Sequence, residues 1–149
     1  MSLDSIDIKM LNMLIKNGRI SYTDIAKEVG MKPPSVIDRI KKMETDGIIY
    51  DYTARVDYRK LGYDMVAFVG VVMDNPVYID DFEELFKNVD EDIVECYHVT
   101  GDFTLLLKVI TKNTNTLAGI IRKLRELPGV ASTNTILVFS TMINRVHTV

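Results

Sequence analysis

Residues 65–73 read MVAFVGVVM, a nine-residue run without one charged or strongly polar side chain. It is far shorter than the roughly 20 apolar residues a membrane-crossing helix needs. A strand that faces water on one side alternates apolar with polar residues, so an unbroken run of this length predicts a strand buried on both faces. Both faces therefore need a cover, and the chain after it supplies one. VYIDDFEELFKNV (77–89) brings Phe82, Leu85, Phe86 and Val89 to one helical side, and TNTLAGIIRKLREL (114–127) carries the stripe Leu117, Ile120, Ile121, Leu124 and Leu127. Between them IVECYHV and FTLLLKVIT read as strands, and after Pro128-Gly129 the segment VASTNTILVFSTMI closes the series as another. Strand, helix, strand, strand, helix, strand is the ferredoxin-like βαββαβ order, in which two helices cover one face of a four-stranded antiparallel sheet. The strands are apolar on their other face as well, which predicts a second copy's sheet packed there and at least a dimer.

The first third of the chain has a helical period instead. LDSIDIKMLNMLIKNGR aligns Ile6, Met10, Leu11 and Leu14, with Gly18 at the C-terminal cap. SYTDIAKEVG offers Ser21 as N-cap, Asp24 three residues on, and Ile25, Ala26 and Val29 as a buried stripe before Gly30. In PPSVIDRIKKMETDG, Pro33 and Pro34 suit a first helical turn, Val36, Ile40 and Met43 repeat at helical spacing, and Gly47 ends the helix. A supporting helix, a short helix, a tight glycine turn and a second amphipathic helix make a helix-turn-helix. Lys32, Pro34, Ser35, Asp38, Arg39, Lys41 and Lys42 lie off the core face of its last helix. These are the candidate DNA contacts, since the N-terminal part of such a helix enters the major groove. A solvated charged face of a plain three-helix bundle is the competing reading. IIYDYTARV (48–56) then alternates as a strand. The expected fold class is α+β, with a helix-turn-helix at 1–50, a hinge strand and linker at 51–64, and the βαββαβ domain at 65–149.

Net charge alone, −3, points away from nucleic acid, but the charge is uneven. Through Lys60 there are 11 Lys and Arg against 9 Asp and Glu, whereas the remainder has 7 against 12. A basic module joined to an acidic one fits that asymmetry. Cys96 is the only cysteine, which excludes an intrachain disulfide, and two histidines make a protein-only zinc site hard to assemble. The acidic start MSLDSIDIK is unlike a signal peptide's basic n-region and no membrane span is legible, so the expected location is the cytoplasm. No phosphate loop, Ser-His-Asp set or catalytic carboxylate pair stands out, so no enzyme activity and no cofactor is expected.

The stretch HVTGDFTLLLKV (98–109) has two readings. Gly101-Asp102 between two β-like runs predicts a two-residue hairpin turn, with Gly101 supplying positive φ. Thr100, Asp102 and Thr104 also set hydroxyls and a carboxylate beside free turn amides, a way to hold a small zwitterion.

LDSIDIKMLNMLIKNGR, DIAKEVGM, VIDRIKKMETDGII, VTGDFTLLLKV and PGVASTNTILV together resemble the Lrp/AsnC, or feast/famine, transcriptional regulators over essentially the whole chain. The resemblance implies an N-terminal helix-turn-helix for double-stranded DNA, a hinge strand and a ligand-sensing domain that dimerises and often assembles into tetramers or octamers. It also implies a free amino acid as effector, held where dimers meet near Thr100-Gly101-Asp102. Asp102 then accepts from the ammonium group, and Thr100, loop amides, Thr133 and Thr135 donate to the carboxylate, with Thr104 beside them; Tyr78 either closes the pocket from a neighbouring dimer or faces solvent. Ser132 and Asn134 fall on the opposite side of their strand. Two positions depart from the family pattern: Lys32 replaces the usual serine before the recognition helix, and Thr104 stands where many members have a second acid. An architectural DNA-binding protein without an effector is the alternative function.

Overall fold

A computed structural model of the chain describes residues 2–74 and 82–149. These fall into two compact units, Met1–Arg55 with Ile143–Val149, and Val56–Met142. The last seven residues thus pack with the first unit. Within the first unit Asn12 Nδ2 donates to the Val149 carbonyl at 2.6 Å, the Val149 amide donates to Asn12 Oδ1 at 2.8 Å, and Arg55 holds the Asn144 carbonyl at 3.0 Å. Sequence patterning could not assign these residues, because they pair through backbone groups and not through an apolar stripe.

The first unit has three helices: α1 (Ser5–Lys16), α2 (Tyr22–Val29) and α3 (Pro33–Thr45). Asp4 caps α1 in a capping box with Asp7, and Ser21 caps α2 by accepting from the Asp24 amide. Gly30, at φ +69, takes the left-handed conformation that ends α2 and turns the chain into α3. No side chain caps α3; Lys32 offers only its carbonyl. Met10, Leu14, Ile25, Ala26, Val36, Ile40 and Met43 form the core, as the helical stripes predict.

In the second unit the strands are β1 (Met65–Met73), β2 (Ile93–His98), β3 (Leu105–Thr111) and β4 (Val130–Leu137), with helices α4 (Phe82–Lys87) and α5 (Thr114–Arg125). The sheet order is β2-β3-β1-β4 with every neighbour antiparallel. Ala67, Val69, Val71 and Met73 of β1 and Leu105, Leu107 and Val109 of β3 are buried with Phe82, Phe86, Leu117, Ile120 and Leu124 of the helices. On the other face Val66, Phe68, Val72, Leu106 and Ile110 are only half-buried.

Several expected boundaries move. Residues 48–56 form no strand: the segment is irregular and mostly exposed, because a strand needs a ladder partner and none of the described residues offers one. β3 starts at Leu105, not Phe103, and β4 ends at Leu137, not Ile143. The helix expected at 77–89 is described only from Phe82; Tyr78 and its neighbours lie outside the described residues. Phe103 leaves the strand ladder because its ring lies on Gly70, so close that a Cβ there would be 2.6 Å from ring carbons.

Candidate DNA-binding and effector-binding sites

The α1–α2–α3 core sets the rotation of α3. Burial of Val36, Ile40 and Met43 leaves Lys32, Pro34, Ser35, Asp38, Lys41 and Lys42 exposed. These six candidates share a continuous surface running from the start of the helix to its last turn. Basic side chains and a free hydroxyl on such a surface can donate to phosphate oxygens and base edges.

Arg39 does not share it. It follows Val36 by three residues, so it lies only about 60° around the helix from that core position, on the flank toward α1. Its Nη1 donates to Asp4 Oδ2 at 2.7 Å and to Asp7 Oδ1 at 2.8 Å. The Asp4 carboxyl, held mainly by this guanidinium, falls from 3.8 to about 2, and the Arg39 pKa is raised by the same pair of bonds. The free projection expected of Arg39 is therefore not found. Asp4-x-x-Asp7, visible in the sequence as an acidic pair at capping-box spacing, was the missed signal, but its partner 32 residues away was not legible.

The two-residue turn expected from the sequence is instead a six-residue loop, because His98 pairs with Leu105 and residues 99–104 lie between. The Val99 amide closes it by donating to the Thr104 carbonyl at 3.1 Å. Gly101 has φ +100, as the turn reading required. Thr104 is spoken for: its amide donates to the Val71 carbonyl at 2.8 Å, and its hydroxyl accepts from the Met73 amide at 3.1 Å. That clamps the loop across the end of β1. Thr100, Gly101 and Asp102 remain exposed at the tip.

Thr133 and Thr135 pair with Val71 and Val69, so they face the helix layer, while Ser132 and Asn134 face the other side as the alternation predicts. The Thr133 hydroxyl accepts from Arg125 Nε at 3.1 Å, a partner that no sequence pattern flagged. β1 separates Thr133 from Leu105 at the loop's root, about 10 Å over two strand spacings. An open depression of about 320 Å³ beside Thr133 is lined by Arg125, Val130, Ala131 and Ser132, without any residue of the loop tip. Among the described residues, that depression is lined from the Thr133 side alone. Among the described residues there is no cluster of three metal-ligating side chains, and no helix is long and apolar enough to cross a membrane.

These two sites sit in the two segments that match known families. Residues 66–147 match the Lrp/AsnC ligand-binding domain, and residues 3–50 match a winged helix-turn-helix DNA-binding domain. The chain belongs to the Lrp/AsnC family. Among its Lrp/AsnC relatives, the regulatory protein AsnC of Haemophilus influenzae is 32% identical over 139 residues, covering 91% of each chain. The structure of Escherichia coli AsnC superposes with a TM-score of 0.90 at 26% identity over 99% of both chains. A feast or famine regulatory protein from Mycobacterium tuberculosis, complexed with L-methionine, does so with a TM-score of 0.91 at 25% identity over 99% of both. The α+β architecture, a helix-turn-helix followed by a four-stranded α/β sandwich, is thus the Lrp/AsnC fold.

Proposed function

We propose that this protein is a transcriptional regulator that docks α3 of two copies on double-stranded DNA and changes its DNA affinity or assembly when an amino acid binds. The exposed surface of Lys32, Pro34, Ser35, Asp38, Lys41 and Lys42 carries the reading. Lys32, Lys41 and Lys42 neutralise phosphates, and Ser35 and Asp38, near the helix start, face base edges. The methionine complex of the Mycobacterium tuberculosis relative supports an amino-acid effector here.

For that effector we keep Thr100, Gly101 and Asp102, whose polar groups are exposed at the loop tip. Asp102 accepts from the ammonium group, and Thr100 and the loop amides donate to the carboxylate. Thr104 and Thr133 already accept from Met73 and Arg125, so they support the site's frame more than its ligand. A neighbouring dimer completes the enclosure.

Dimerisation uses the half-buried sheet face of Val66, Phe68, Val72, Leu106 and Ile110, in keeping with the unbroken apolar run of β1. Each dimer then presents two α3 helices to two half-sites. Calorimetry against the twenty amino acids, paired with gel-shift titrations on a duplex selected from a random pool, tests the reading. A protein that binds the duplex but no amino acid is the architectural alternative. One that binds no duplex refutes the proposal.

A further inference from the structure

The third helix carries one cation that does not face the proposed DNA surface. Arg39 Nη1 has two N–H groups, and both are used, one on Asp4 and one on Asp7. Those carboxylates are themselves tied to the start of α1: Asp4 Oδ1 accepts from the Asp7 amide at 2.8 Å, and Asp7 Oδ2 accepts from the Asp4 amide at 3.0 Å. One guanidinium nitrogen therefore bridges both acids of a capping box. Asp7 is 3% exposed, so its charge has no solvent to fall back on. Two acids and one base leave the cluster with a net charge of −1, which repels a phosphate backbone where a free arginine would attract it.

We propose that Arg39 is a positioning residue: by bridging Asp4 and Asp7 it locks the rotation of α3 about its axis, and so the register in which Ser35 and Asp38 meet the bases, without touching DNA itself. A helix held only by apolar contacts at Val36, Ile40 and Met43 can roll by small angles at little cost, since those contacts have no direction. The two bonds from Arg39 are directional and lie on one flank, which opposes that roll. Sequence-specific contacts need the correct angle, whereas phosphate attraction tolerates error. Loss of the lock therefore erodes specificity before affinity.

The inference rests on the DNA-binding reading, and the test separates the two. Asp4→Asn keeps an N-cap oxygen, since Asn caps as well as Asp, and removes only the half-exposed charge facing Arg39. Its affinity is measured, with that of Arg39→Gln and the double variant, on a duplex the parent selects and on a random duplex, each across a salt titration. Expected for Asp4→Asn is a loss of at least about threefold on the selected duplex, little change on the random one, and an unchanged salt slope. Arg39→Gln, which removes both bonds, should lose at least as much on the selected duplex, and the double variant should lose no more than Arg39→Gln alone, because the Asp4 charge acts in the lock only through Arg39. An Asp4→Asn protein that binds the selected duplex as tightly as the parent, or more tightly, overturns the assignment, because freeing a DNA-reading arginine cannot weaken it. An Arg39→Gln slope shallower by about 0.9 does the same by exposing a phosphate contact. A parent that binds neither duplex overturns the DNA-binding reading along with it.

Discussion

Gly70 should be among the least replaceable residues of the sheet. A Cβ at this position would lie 2.6–2.7 Å from three carbons of the Phe103 ring. Carbon atoms pack at roughly 3.5 Å, so Gly70→Ala must push the ring away by about 1 Å. Overpacking of that kind costs about 1–3 kcal/mol, and the smaller conformational freedom of Ala in the unfolded chain returns about 0.4–1 kcal/mol. The net destabilisation should be about 1–2 kcal/mol, which for a chain of this size lowers the melting temperature by roughly 2–8 °C. Phe103 is the residue after Asp102 and is followed by the Thr104 clamp on β1, so a displaced ring drags the loop tip with it. Effector affinity, measured by calorimetry at a temperature where both proteins are folded, should therefore fall as well. Adding Phe103→Ala to Gly70→Ala should relieve the clash, so that the double variant is no less stable than Phe103→Ala alone. A Gly70→Ala protein that melts with the parent and binds the amino acid equally well would show that the ring is not seated on the strand.

Lys42→Ala should weaken binding to all duplexes and make the salt slope shallower by about 0.9, as loss of one phosphate contact requires; an unchanged slope removes Lys42 from the interface. Asp102→Ala should cost the effector about 2–5 kcal/mol, or about 30- to 4000-fold in Kd by calorimetry, while the melting temperature holds because Gly101 makes the turn. Because the Asp4 carboxyl is lowered from 3.8 to about 2 by Arg39, its contribution to stability is complete above about pH 4 and is lost as pH falls toward 2. Acid titrations followed by circular dichroism should show that component in the parent and not in Asp4→Asn. Asn12→Ala removes both bonds to Val149, so hydrogen exchange in 143–149 should quicken while that of β1 and β3 stays unchanged.

Periodicity alone was enough for the helices and for the sheet's inner face. Val36, Ile40 and Met43, or Leu117, Ile120 and Leu124, are buried whatever they pack against, because apolar spacing is a local property of the chain. The order βαββαβ and the exposure of Lys32, Pro34, Ser35, Asp38, Lys41 and Lys42 were legible for the same reason. What the pattern could not show depended on partners far away in the chain. Arg39 is spaced like a surface residue, yet two carboxylates on another helix claim it. Thr104 looks like a ligand hydroxyl, yet the Met73 amide on β1 needs an acceptor and takes it. Residues 48–56 alternate like a strand, but alternation is only a side-chain property and a ladder requires a second backbone. Local composition decides which residues leave water, whereas only the tertiary structure decides which polar group finds which, because hydrogen bonds and ion pairs depend on distances that sequence separation does not set.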